Sequence, residues 1–329
     1  MRKPPHIFLL GTGGTIASTA PGAATLTDYS VTEGVASLVS AIPEIDRIAR
    51  VECRQIFDLD SIDITNDMLI RLASEVAVLL ADPTVDGIVV THGTDTLEET
   101  AYFLSLTLRS NKPVVLVGAM RPSSALSQDG ALNLRNAILL ASSREARGLG
   151  VLVALNDRFF AARFVSKMNT TRVDAFDAPD QGSLGLIADG HILLYQTPVS
   201  AVSKSAHFDP QPGAALPLVD IIYDHQSARL HAYLASIEAG ANGIVVAACG
   251  NGSLTPNARE GLKRAVKCGV VCVRSSRVPA GVVTHSTRDE PAGLIASNTL
   301  NPQKSRILLM LALTRTTDRS QIQGYFDRY

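Results

Sequence analysis

Short runs of β-branched and aliphatic residues alternate along this chain with stretches at helical spacing, and that alternation narrows its possible folds more than any other feature. "HIFLL" (6–10), "ARVECRQIF" (49–57), "DGIVVTH" (86–92), "KPVVLVGAM" (112–120) and "LGVLVALN" (149–156) read as strands. Several are separated by amphipathic segments long enough to cross a sheet, and strand, helix, strand in that order builds a parallel sheet with helical crossovers. Two helices carry start signals. Thr65 stands before "NDMLIRLASEVAVLLA", and Thr96 with Glu99 forms a capping box for "LEETAYFLSLTL".

From Asp157 to about Leu194 the pattern loosens into short mixed segments. Residues 197–217 then hold four prolines and few apolar runs, the composition of a linker. These features predict an N-terminal domain over 1–196, a linker over 197–217 and a C-terminal domain over 218–329. In the latter, "VDIIYD", "NGIVVAACG" and "GVVCVRSSRV" read as strands, while Thr255–Pro256 and Asn301–Pro302 open helices. The expected fold class is α/β in two domains: a larger N-terminal, mostly parallel sheet flanked by helices, and a smaller C-terminal α/β domain. With 329 residues, 46% of them hydrophobic, the chain has material for two cores.

Thirty basic residues balance thirty-one acidic ones, without a block of like charge and without Trp. Such a surface carries no footprint for nucleic acid and no basic face for a membrane, so a small neutral or zwitterionic partner is expected. The first apolar run is shorter than the ~7 to 15 residues of a signal peptide, and no run reaches the ~18 of a membrane span. A cytoplasmic location is the expectation. Cys53, Cys249, Cys268 and Cys272 have no His or Cys at zinc-ligand spacing and are expected to be core thiols.

Four apolar runs end in polar clusters: "GTGGT" (11–15), "DLDSID" (58–63), "THGTD" (91–95) and "GAMRPSS" (118–124). In an open α/β sheet the ligand crevice lies beyond the carboxyl ends of the strands, so Thr15, Ser61, Thr94 and Asp95 are expected around one cavity. A dinucleotide loop is excluded, because Ile16 stands where the fingerprint needs its last glycine or alanine, and no Gly-Lys-Ser or Gly-Lys-Thr makes a phosphate loop. A single threonine at a strand end is ordinary turn chemistry. Two of them beside glycines, the second followed by Asp95, suggest hydroxyls used chemically, and a hydroxyl nucleophile needs a partner to take its proton. His92, inside the glycine turn, receives no catalytic role.

Taken together, "GTGGTIA", "THGTDTLEETAYFL", "VVLVGAMRP", "DGALNLRNAI", "KMNTT", "RSSRVPAG" and "SNTLNPQKSRILLMLALT" resemble the bacterial L-asparaginases and glutaminase-asparaginases that use a threonine nucleophile. The resemblance runs from about His6 to the carboxyl terminus. It implies that Thr15 attacks the side-chain amide and that Tyr29 hydrogen-bonds its hydroxyl. Thr94, Asp95 and Lys167 match the second hydroxyl, carboxylate and lysine, while Ser61 matches the serine that holds the substrate α-carboxylate. Asp95 also faces the α-ammonium, Ala119 offers its carbonyl to the amide, and Asn251 reaches the site of a neighbouring subunit.

The resemblance further implies hydrolysis of asparagine through an acyl-threonine, without metal or cofactor, in a homotetramer built as a dimer of close dimers. A glutaminase-leaning enzyme and a non-catalytic amino-acid sensor are the alternatives. Three positions depart from the pattern. Ile62 stands where relatives often have Gln or Glu, Ser286 lies where some have an acidic residue, and Asn257 stands where some have Ser. Thinner contacts to the substrate's α-amino group are the expected result.

Overall fold

The computed structural model describes residues 3–19, 30–31, 34–40, 42–198 and 208–329. The chain divides into two compact units, Met1–His207 and Phe208–Tyr329. Tyr29 and residues 199–207 of the proline-rich stretch lie outside the described residues.

In the first unit the strands are β1 (His6–Gly13), β2 (Ser18–Thr19), β3 (Ser30–Val31), β4 (Arg50–Leu59), β5 (Gly87–Thr91), β6 (Val114–Val117), β7 (Val151–Leu155), β8 (Arg158–Ala161), β9 (Ser166–Lys167), β10 (Phe176–Asp177), β11 (Gly185–Ala188) and β12 (His191–Leu194). The helices are α1 (Val35–Ser40), α2 (Ile45–Ile48), α3 (Asn66–Ala81), α4 (Leu97–Thr107) and α5 (Gly130–Ser142). Eight strands form one sheet in the order β12-β11-β8-β7-β6-β5-β1-β4. From β4 to β7 the neighbours are parallel, whereas β8, β11 and β12 extend the sheet antiparallel. This antiparallel extension is what the loosened pattern after Asp157 encodes.

Strands β5, β6 and β7 are buried along their whole length, as strands covered on both faces must be. Ile7, Leu9, Val89, Val115, Val117 and Leu152 pack with Leu134, Ala137, Ile138 and Ala141 of α5 in one core. The strand order reverses at β1, which lies between β4 and β5 although β4 follows it in the chain. A crevice at the carboxyl ends is therefore expected beside β1, where the loops on either side diverge.

Thr65 caps α3 as its sequence predicts, accepting the Met68 N–H at 3.3 Å. The predicted capping box of α4 does not form. The Thr96 side chain makes no cap bond, because its hydroxyl donates to the Ser61 carbonyl at 2.8 Å instead.

The second unit has four parallel strands, β13 (Val219–Tyr223), β14 (Gly243–Ala248), β15 (Val271–Ser276) and β16 (Leu294–Ala296), paired in chain order. Its helices are α6 (His231–Glu238), α7 (Pro256–Lys267), α8 (Asp289–Ala292), α9 (Pro302–Leu313) and α10 (Arg319–Arg328). Thr255 and Asn301 cap α7 and α9, each with proline in the first turn. Ile222, Ile244, Val246 and Cys272 form a core with Tyr233 of α6 and Leu262 of α7. The expectation of four core thiols is corrected here. Cys272 is buried, and desolvation pushes its thiol up to about 12, but Cys268 is exposed at the end of α7 and the other two are half-buried.

Candidate active site

Near the end of β1, Gly11 pairs with Gln55 of β4 and Thr91 of β5. The Thr12 hydroxyl donates to the Thr91 carbonyl at 2.7 Å, so this threonine ties two strand ends together and is spent on the fold. Gly14 follows with φ 83° and starts a single 3-10 turn, Thr15–Ala17. A Cβ on Gly14 would collide with the backbone of Gly93, which demands glycine at this close approach whatever the conformation. The turn that carries Thr15 is thus seated on the turn that carries Thr94. Thr15 itself is buried.

Ser61 opens a 3-10 turn after β4 and is buried. A Cβ on Gly93 would come within 2.8 Å of Ser61 Oγ, and the Thr96 N–H donates to that Oγ at 3.4 Å. On the other side, a Cβ on Gly118 would lie 2.7 Å from the His92 carbonyl and 2.9 Å from Thr94 Cγ2. Four strand-end segments therefore converge at the β1–β5 reversal.

Lys167 joins them from the small β9–β10 ladder. Its Nζ donates to Thr94 Oγ1 at 2.9 Å and to Asp95 Oδ1 at 2.5 Å. The lysine side chain is 16% exposed and the aspartate side chain 58%, so the ammonium is mostly enclosed while the carboxylate opens to solvent. Next to it, the Ser166 hydroxyl donates to the buried Glu98 of α4 at 2.8 Å, and the Met168 N–H donates to Ala175 at 2.7 Å. The ladder that presents Lys167 is thereby fixed to the helix that begins just after Asp95.

Sequence reading missed the supports of Ala119. Asp129 accepts the N–H groups of Met120 and Arg121, each at 3.0 Å, and Asn133 donates to the Gly118 carbonyl at 3.1 Å and to Asp129 at 3.0 Å. The peptide groups flanking Ala119 are pinned from α5. The available signal was Asp129 and Asn133 four residues apart, the spacing that puts both on one helical face.

His92 is fully buried beneath this cluster. Its Nδ1–H donates to the Gly93 carbonyl at 2.7 Å, while Nε2 is buried without a hydrogen-bond partner. Desolvation pushes the imidazole down to about 4, and the bond to Gly93 acts in the opposite direction. A neutral ring fits a structural post.

Ile62, beside Ser61, is 68% exposed. Asn251 belongs to the second unit, in the turn after β14, and is exposed. Asn257 donates to the Ala228 carbonyl at 2.8 Å. Near Ser286 a carboxylate does stand, Asp289, but it is buried against Arg274. Among the described residues no group of three or more His, Cys, Asp and Glu is arranged to hold a metal ion.

An enclosed ammonium bonded to a hydroxyl and a carboxylate, with a second hydroxyl turn seated alongside, can relay a proton and activate an oxygen nucleophile. Residues 6–200 match the family model described as Asparaginase, N-terminal, and residues 218–326 match Glutaminase/Asparaginase C-terminal domain. The chain is 49% identical over 326 residues to L-asparaginase 2 of Bacillus subtilis (strain 168), covering 99% of this chain and 87% of that protein. It is 42% identical over 327 residues to a probable periplasmic L-asparaginase of Haemophilus influenzae, covering 99% and 93%. The crystal structure of a probable cytoplasmic L-asparaginase from Campylobacter jejuni superposes with a TM-score of 0.96 at 46% identity, covering 99% of this chain and all of that one.

Proposed function

This chain belongs to the asparaginase family, and from that premise we propose that it hydrolyses L-asparagine to L-aspartate and ammonia through an acyl-threonine intermediate. The observation that carries the reading is the double hydrogen bond of Lys167 to Thr94 and Asp95, at the strand end where Gly14 rests on Gly93.

In this mechanism the Thr15 oxygen adds to the amide carbon and its proton passes to the basic group. The tetrahedral oxyanion collapses, the C–N bond breaks, and the nitrogen leaves as ammonia carrying a proton. The acyl-threonine remains, and water repeats the addition to release aspartate and restore the hydroxyl. Backbone N–H groups of the glycine turns are well suited to the oxyanion, since donors fixed in advance cost no reorganisation during reaction. Thr94, Lys167 and Asp95 are the proton-handling group, and Tyr29 supports the Thr15 hydroxyl. Ser61 takes the α-carboxylate, Asp95 the α-ammonium and the Ala119 carbonyl the amide.

Asn251 is supplied by a neighbouring copy, which makes a homotetramer of close dimers the working assembly. No metal or cofactor is required by this chemistry. The cytoplasm is the proposed location. Among the described residues no helix is long and apolar enough to cross a membrane.

Glutamine is the second substrate to consider, because a relative 40% identical over 328 residues, from Pseudomonas fluorescens biotype A, is named a glutaminase-asparaginase. One methylene is worth only ~1 to 3 kcal/mol in a pocket. The non-catalytic sensor has no support in relatives named for amide hydrolysis. Ammonia release from L-asparagine, L-glutamine and D-asparagine tests the reading directly. Turnover highest with L-asparagine is expected, and purified protein that releases ammonia from none of them overturns it.

A further inference from the structure

In the second unit a buried ion pair stands directly behind Asn251. Arg274, on β15, is 7% exposed and its partner Asp289 9%. Every one of the five guanidinium N–H groups is used. Nε donates to Asp289 Oδ1 at 3.0 Å, and Nη2 donates to Asp289 Oδ2 at 2.6 Å and to the Thr284 carbonyl at 2.8 Å. Nη1 donates to the carbonyls of Asn251 at 3.0 Å and Gly252 at 3.3 Å. Asp289 Oδ2 also accepts the Ser286 N–H at 2.8 Å. The ion pair therefore clamps two separate backbone segments, Arg274 holding 251–252 and Thr284 while Asp289 holds Ser286.

The clamp leaves no space for a side chain at Gly252, whose φ is +72° and whose Cβ would run into the guanidinium. In front of it, the Asn251 side chain is exposed yet held at both ends. Its Nδ2 donates to Thr284 Oγ1 at 2.9 Å, and its Oδ1 accepts the Thr284 N–H at 2.8 Å. Exposed amides ordinarily bond to water and turn freely, because ordering a solvated side chain costs rotamer entropy. An exposed asparagine fixed in one orientation by a buried five-bond clamp fits a group presented to something outside its own unit. The cleft of about 900 Å³ on this face is lined by Asn251, Thr284, Ser286 and Arg274 among others.

We propose that Arg274 and Asp289 are positioning residues that set the orientation of the Asn251 amide for substrate binding, through the Asn251–Thr284 pair. The proposal rests on the reading that Asn251 completes a neighbour's site. An ordinary structural ion pair would hold the same two loops, so the test must separate the two roles.

The experiment measures asparagine kinetics of the assembled enzyme for Asn251→Ala, Thr284→Val, Arg274→Lys and the doubles with Asn251→Ala. Each single variant is expected to raise KM about tenfold, the size of one lost substrate hydrogen bond. A partly unfolded enzyme would instead lose active fraction, lowering kcat with KM unchanged. In the Asn251→Ala background, Thr284→Val and Arg274→Lys are expected to have no further effect on KM. Full additivity in the doubles overturns the positioning role. So does a native KM in Thr284→Val and Arg274→Lys beside a raised one in Asn251→Ala, which leaves the borrowed-residue reading standing. A native KM in Asn251→Ala overturns both. Should Arg274→Lys fail to fold, Asp289→Asn, which keeps the shape of the carboxylate, takes its place in the same comparison, and a native KM there beside a raised one in Asn251→Ala overturns the positioning role.

Discussion

In each unit an enclosed cation is paired with an aspartate, Lys167 with Asp95 in the first and Arg274 with Asp289 in the second, and the two pairs are built for opposite ends. Arg274 is buried with Asp289, and all five of its donors are satisfied, so nothing in that cluster is left to move. Lys167 is enclosed too, but Asp95 is open to solvent and one of the bonds goes to a hydroxyl, Thr94. Arginine keeps its charge at any working pH and grips by planar geometry, whereas lysine is a point charge that can give up a proton. A pair that must hold backbone takes the first form; a pair that must serve a reaction takes the second.

The largest expected effect tests whether the open pair acts on a separate nucleophile. Thr15→Ala should lower turnover by about four orders of magnitude or more while the fold survives, as loss of a nucleophile does elsewhere. Full activity in that variant would mean that the Lys167 cluster serves some other group, and the assay is ammonia release. On the other side, Asp289→Ala leaves a buried guanidinium uncompensated and should cost about 3 to 5 kcal/mol of stability, read from urea unfolding. A loss under about 1 kcal/mol would break the contrast, because that is the range of an exposed pair.

The first unit also carries a buried titrating group. His92 is pushed down to about 4 in the fold, against about 6.5 in an unfolded chain. Between those values the unfolded chain binds a proton that the folded one does not. Its contribution, roughly 3 kcal/mol, is therefore whole above pH 6.5 and is lost as pH falls toward 4. Unfolding measured across that window should flatten in His92→Gln, and an identical slope in both proteins would show that His92 is not the group responsible.

Lys167→Met should remove about a hundredfold in kcat, equivalent to ~2.7 kcal/mol, and change stability by less than about 1 kcal/mol. The reverse pattern, intact kinetics with lost stability, would make Lys167 a second Arg274. The smallest effect is expected for Ile62→Gln. A polar group there should improve discrimination against substrates altered at the α-nitrogen by less than about tenfold, measured as a ratio of kcat/KM values. A parent that already rejects those analogues as strongly would count against thin α-amino contacts.

Local signals were legible in the sequence because their causes are local. The short β-branched runs of β5, β6, β14 and β15, and the caps at Thr65, Thr255 and Asn301, depend on residues within one turn of themselves. Thr96 misled because its hydroxyl bonds a carbonyl 35 residues away, outside any capping pattern. Strands β8, β11 and β12 gave little signal because each is only four residues long and partly exposed. In the site, the converging strand ends followed from polar clusters after apolar runs. Lys167 did not, since Asp95 lies 72 residues away and only family resemblance joined them. Arg274 passed unnoticed inside an apolar strand, where nothing nearby announced Asp289.

The contact between Gly14 and Gly93 carries one more consequence. The gap between the Thr15 and Thr94 turns is bridged by main chain against main chain, with no side chain as a spacer. Such a gauge is indifferent to repacking: cores can exchange valine for isoleucine around it, and rotamers can jump, without altering its length. Drift in sequence and thermal agitation of side chains are thereby decoupled from the alignment of the two hydroxyl-bearing turns. The same arrangement concentrates vulnerability, since a single methyl group at Gly14 acts as a wedge at the point where nothing soft remains to absorb it.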